Sequence, residues 1–161
     1  MKHITTLLTI LFISLLSSPS WSETVTLDDL VERNDLYFEK FTNTPFTGEV
    51  SGKDSGKFKK GQKNGEWLSY YKYGQLYSEG NYKDGKQEGF WFTYHENGKL
   101  RGENNYKDGQ QEGRYTWYYE NGQLRTKGNW KDGKEEGLWE YFNVDGSLKE
   151  TRTYKNGRVL E

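Results

Sequence analysis

The chain has 161 residues, with 23 Lys and Arg against 24 Asp and Glu, and no cysteine. That length fits one domain; the missing cysteines exclude a disulfide framework, thiolate catalysis and thiolate metal ligation. A net charge of −1 with interspersed signs offers no concentrated basic face, so nucleic acid is not an expected partner.

The first 22 residues read as a signal peptide. Met1-Lys2-His3 is a basic start, Ile4 to Leu16 is apolar apart from Thr and Ser, and small residues with Pro19 follow. Ser20 and Ser22 suit the small positions three and one before a cut, which places cleavage after Ser22. Read as an uncleaved anchor, the apolar run is short of the roughly 20 residues a spanning helix needs. Removing Lys2, the one charged residue of this segment, takes the net charge from −1 to −2. The expectation is an exported chain, periplasmic or secreted, with no transmembrane span after cleavage.

Residues 23–45 differ from the rest and are read as a cap. Thr26 to Val31 suggests one helical turn with Thr26 as N-cap, Asn34-Asp35 a turn, and Leu36 to Phe41 a short strand ended by Pro45. Repeat arrays need such atypical ends because a terminal unit otherwise exposes its apolar face. Residues 46–57 are a contracted first repeat, with Gly48-x-Val50 standing where later copies have Gly-x-Trp.

Four copies of 24 residues then fill 58–154, before a tail at 155–161. Three glycine columns hold in every copy: Gly61, Gly85, Gly109, Gly133; Gly65, Gly89, Gly113, Gly137; and Gly74, Gly98, Gly122, Gly146. A fourth column is less strict, running Gly80, Asn104, Gly128, Arg152. Lys-Asp-Gly and Glu-Asn-Gly at the column positions predict tight hairpin turns of the primed type. Period-two patterning between them, and no helical spacing, make each unit a β-hairpin. The fold expected is all-β: an elongated, twisted antiparallel meander of about ten strands. Trp67 and Tyr70, three residues apart, would point to opposite faces of a regular strand. Either a bulge lies between them or both faces are partly covered.

Comparing copies separates core slots from variable ones. Trp67, Trp91, Tyr115, Trp139 are always large, as are Tyr70, Tyr94, Tyr118, Phe142 and the closing slot Phe58, Tyr82, Tyr106, Trp130, Tyr154. Leu76, Leu100, Leu124, Leu148 is invariant. With 13 Tyr, 8 Phe and 6 Trp and few aliphatics, the core is expected to be aromatic, each buried ring contributing about 1.5–3 kcal/mol. Three slots vary: Ser69, Thr93, Trp117, Tyr141; Tyr71, His95, Tyr119, Asn143; and Tyr77, Arg101, Arg125, Lys149, the last a mild basic stripe expected on the outer face. Identical slots cannot distinguish one place along the array from another, so partner recognition is assigned to Tyr71, Thr93, His95, Arg101, Trp117, Tyr119, Arg125, Tyr141 and Lys149.

No catalytic constellation emerges. His95 is the only histidine after residue 22 and has no nucleophile near it in sequence. Asp84, Asp108 and Asp132 supply one carboxylate per turn, too few for calcium; Glu88, Glu112 and Glu136 sit one per unit. No metal, cofactor or phosphate motif is expected, and the chain is read as a non-enzyme.

The string G-x-x-x-G-x-W-x-x-Y-x-x-x-G-x-L, as in Gly85 to Leu100, resembles the bacterial variant of the MORN repeat. The resemblance implies a β-meander scaffold for protein–protein or membrane-proximal contacts. Many bacterial members are named as antitoxins of the YwqK type, which implies neutralising a partner toxin by binding it. An exported protein-binding scaffold is therefore the leading expectation. The alternative is a module that binds an envelope glycan through its aromatics.

Overall fold

The computed structural model describes residues 24–160; the signal-peptide reading of 1–22 lies outside them. Thirteen strands are present among the described residues. β1 (Leu30–Arg33) and β2 (Leu36–Glu39) form a separate hairpin. The others build one eleven-stranded sheet in strict sequence order: β3 (Gly48–Val50), β4 (Asp54–Lys59), β5 (Gln62–Tyr70), β6 (Leu76–Lys83), β7 (Lys86–Tyr94), β8 (Leu100–Lys107), β9 (Gln110–Tyr118), β10 (Leu124–Lys131), β11 (Lys134–Phe142), β12 (Leu148–Lys155) and β13 (Arg158–Val159). All pairs are antiparallel. At about 4.8 Å per strand the meander extends roughly 50 Å across its strands.

The two kinds of turn differ. Lys60-Gly61, Asp84-Gly85, Asp108-Gly109, Asp132-Gly133 and Asn156-Gly157 all have positive φ at both residues, as a primed two-residue turn requires. The Glu-Asn-Gly turns expected to be primed are not: of Asn97 and Gly98, only the glycine has positive φ. Five residues bridge these strands, so an ordinary turn closed by a left-handed glycine suffices. Asn97 and Asn121 instead accept hydrogen bonds from the Lys99 and Gln123 N–H groups, two residues on.

The aromatic face carries a chain of edge-to-face contacts. Phe58–Trp67 centroids are 5.2 Å apart, Trp67–Tyr82 5.8 Å and Tyr82–Trp91 5.1 Å; Trp130–Trp139 and Trp139–Tyr154 continue it at 5.4 and 6.0 Å. Leu30, Phe46, Val50, Phe58, Trp67 and Trp91 form the buried cluster at the N-terminal end. Leu148, expected in the core, is exposed, because no complete unit follows β12 to cover it.

Trp67 and Tyr70 do point to opposite faces, and the second face is only partly covered: Tyr70 is half-buried there, while Phe90 and Leu138 stay exposed. A register shift falls between Ser69 and Tyr70, with the extra residue, Tyr77, on the partner strand. Tyr94, equivalent to Tyr70, lies on the opposite face, where its hydroxyl donates to the Glu79 carboxylate at 2.5 Å. Burial first, then Glu79, pushes the Tyr94 phenol up to about 12; burial and Glu32 do the same to Tyr37. A phenol with a raised folded pKa contributes fully below its ordinary value of 10.0, and the contribution disappears as pH climbs through about 12. Folding stability should therefore fall over that alkaline window, and Tyr94→Phe should remove one late-ionising phenol from the phenolate absorbance titration.

The N-terminal segment packs on the first strands of the sheet. Only Leu27–Asp29 is helical, a single 3-10 turn, and Asp29 accepts hydrogen bonds from the Thr26 N–H and hydroxyl at 2.8 and 2.7 Å. Leu30 and Val31 belong to β1 because they pair with Glu39 and Phe38. β2 stops at Glu39, short of the expected Phe41, whose positive φ turns the chain and leaves its ring exposed. Tyr37 reaches Phe58 at 4.9 Å, and the Tyr37 N–H donates to the Gly61 carbonyl at 2.8 Å.

Candidate functional site

Each tryptophan of the first core slot leans back over a glycine of the preceding strand. A Cβ on Gly56, Gly80 or Gly128 would stand 2.1–2.3 Å from the ring of Trp67, Trp91 or Trp139 respectively. This explains the fourth glycine column, which turns and φ values do not. The junction of the second and third copies departs from it: Asn104 replaces the glycine, and Tyr115 replaces the tryptophan opposite it. The lost pair reappears one pleat along the same two strands. Gly102 pairs with Trp117, and a Cβ at Gly102 would stand 2.2 Å from that indole. The Asn104 and Tyr115 exceptions are thus one displacement of a glycine–tryptophan platform towards the β9–β10 turn.

The displaced indole becomes a wall of a groove of about 690 Å³ along the turn ends of the units. Tyr71, His95, Arg101, Trp117, Tyr119 and Arg125 line it, with Glu96, Glu120, Asn121 and Val144 at its rim. Six of the nine residues predicted for recognition are therefore brought together. The other three are not. Thr93 is half-buried in the sheet opposite Gly102, Tyr141 shares a hydroxyl contact of 3.1 Å with Tyr154, and Lys149 is exposed further along the array.

Three groove residues also hold the array together. The Tyr71 hydroxyl donates to the Tyr94 carbonyl at 2.8 Å, and the Tyr119 hydroxyl to the Phe142 carbonyl at 2.9 Å. Between them, His95 Nε2 lies 3.0 Å from the Tyr118 carbonyl; a carbonyl only accepts, so that nitrogen carries the proton. Each bond joins one hairpin to the next. Losing one such bond costs about 1 kcal/mol, so Tyr119→Phe should lower the unfolding free energy measured in urea by that much without altering the fold.

The basic stripe sits on bulges. Beside each register shift between a unit's two strands, the extra residue is Tyr77, Arg101, Arg125 or Lys149. A bulge re-aims the side chain it carries. Arg101 and Arg125 are accordingly not splayed outward as expected: their guanidinium carbons lie 5.0 Å from the Trp117 ring centroid and 5.6 Å from that of Tyr119.

Sequence reading missed the rim residues and a second set of staples. The Glu88, Glu112 and Glu136 carboxylates accept the backbone N–H of Asp108, Asp132 and Asn156 in the following unit, at 2.8–3.0 Å. Asn97 and Asn121 reach the Glu120 and Val144 carbonyls in the same way. Their 24-residue spacing was visible, but only pairing shows that each bond crosses to the next unit. Among the described residues no group of three or more His, Cys, Asp or Glu could hold a metal ion, and no helix is long and apolar enough to cross a membrane.

No curated protein matches the chain. The MORN repeat variant pattern matches it four times, at residues 63–84, 87–108, 111–132 and 135–156. These matches follow the hairpins whose glycine turns and leaning tryptophans are described above, and cover more than half of the sequence. Such repeats are generally protein-interaction or scaffold units. The chain belongs to the MORN repeat variant family.

Proposed function

We propose that this protein is an exported, non-enzymatic scaffold that binds a protein partner in the groove beside Trp117. The observation that carries the reading is the displaced glycine–tryptophan platform. Residues that vary between otherwise matching units converge where the repeat breaks its own pattern. The hydroxyls of Tyr71 and Tyr119 and the Nε2 proton of His95 are committed to backbone carbonyls, which favours recognition through ring faces and guanidiniums over proton-transfer chemistry. A specific form of this role is an immunity protein whose partner is a toxin acting in the envelope.

Tagged residues 23–161 should recover one protein in stoichiometric amount from an envelope extract. Val144→Trp, a change at an exposed rim position, should abolish the capture while leaving the melting curve unchanged. Repeated failure of the unaltered chain to capture a protein contradicts the reading. The three rings in one groove also suit an envelope glycan; peptidoglycan co-sedimentation that Val144→Trp abolishes would establish that alternative instead.

A further inference from the structure

We infer that the groove takes a carboxylate-bearing stretch of its partner, seated between Arg101 and Arg125; this rests on the protein-binding reading above. The first support is charge. Ion pairs among the described residues are Lys57–Glu49, Lys127–Glu140 and Arg152–Glu150, so neither Arg101 nor Arg125 has a carboxylate within 4.0 Å. The second is orientation. Both guanidiniums are set over aromatic rings by bulges one 24-residue unit apart. A planar guanidinium over a ring keeps its edge N–H groups free for a bidentate carboxylate, and a pre-set side chain loses less entropy on binding.

The rim sharpens the class of ligand. Glu96 and Glu120 are exposed at the turn side of the groove, so a uniformly acidic chain meets repulsion there. Acids interrupted by an aromatic or apolar residue satisfy both parts: the carboxylate meets the arginines, and the intervening group meets Trp117 and Tyr119. The structure therefore assigns an alternating acidic–aromatic segment rather than an acidic tract.

The probe is a fluorescein-labelled decapeptide of alternating glutamate and tyrosine, with a glutamine–tyrosine decapeptide as its uncharged match. Fluorescence anisotropy with the folded chain should show the glutamate peptide binding about tenfold or more tightly than the glutamine peptide, since a carboxylate accepts stronger hydrogen bonds from a guanidinium than a neutral amide does. The Arg101→Gln/Arg125→Gln double variant, at two partly exposed positions, should melt as the parent does and lose that preference. Equal binding of the two peptides, or a preference that persists in the double variant, overturns the inference. Capture of a partner from the envelope extract is read separately. If capture persists while the peptides are not discriminated, the acidic-segment inference fails and the protein-binding reading stands.

Discussion

Replacing Gly80 with alanine should destabilise the protein by about 3 kcal/mol, although Gly80 lies in no turn and needs no unusual φ. Its added methyl would stand 2.2 Å from Cδ2 and 2.4 Å from Cε2 of Trp91. Trp91 is itself buried and tied through its indole N–H to the Asn81 carbonyl at 3.1 Å, so it cannot swing away cheaply. Overpacking of this kind costs about 1–3 kcal/mol and sometimes more. Gly89 is the control, because its φ is +72° and nothing lies within 4 Å of its added Cβ. Gly89→Ala should therefore cost only the left-handed strain, about 1–2 kcal/mol. Trp91→Ala alone should cost about 3–5 kcal/mol, and the Gly80→Ala/Trp91→Ala pair clearly less than the sum, since the clash disappears with the ring. Urea unfolding of the four proteins measures the cycle; additive losses would refute the leaning-platform account.

Trp67→Ala should cost about 4 kcal/mol, within the range for large buried aromatics, and its damage should be local. Trp67 is the most buried aromatic among the described residues, at 2 % exposure, and links Phe58 to Tyr82. Its ring also forms one wall of a box around the Lys63 ammonium, 4.4 Å from the Trp67 centroid, 5.2 Å from Tyr82 and 6.0 Å from Tyr37. Burial in that box pulls the Lys63 pKa down, with Asp54 and Glu32 opposing the shift. Removing the indole therefore opens both the first full hairpin and the seat of the N-terminal segment. In an array whose units contact only their neighbours, such losses stay near their origin. Hydrogen exchange should show lost protection over β3–β6 with β11 and β12 retaining theirs. A uniform loss along the sheet would contradict this.

The fold was legible because the repeat states each structural demand four times. Asp-Gly in three of the four copies announces a two-residue primed turn, and recurrent large slots announce a shared aromatic face. What stayed hidden depends on partners rather than positions. Asn97-Gly98 looks like Asp84-Gly85 in sequence, and only the length of the connection separates the two turn types. Gly80 and Gly102 occupy different columns, yet both exist to admit an indole, and only strand pairing shows it. Of the site, period-two reasoning found the residues that differ but not where the bulges aim them. Arg101 and Arg125 were expected outward because a regular strand alternates strictly; an extra residue in each strand cancels that alternation. Tyr71, His95 and Tyr119 vary in side chain and share a geometric task, so variation alone did not reveal their structural role.

In the proposed function, the groove created by the displaced Trp117 is where this protein meets its partner. Hydrogen exchange of residues 23–161, free and in complex with the protein captured from the envelope, tests it directly. The expected footprint is new protection over His95–Arg101 and Trp117–Arg125, with the equivalent stretch of the last unit, Tyr141–Lys149, changing little beyond Val144. Protection centred instead on the opposite face, around the exposed Phe90 and Leu138, would contradict the claim.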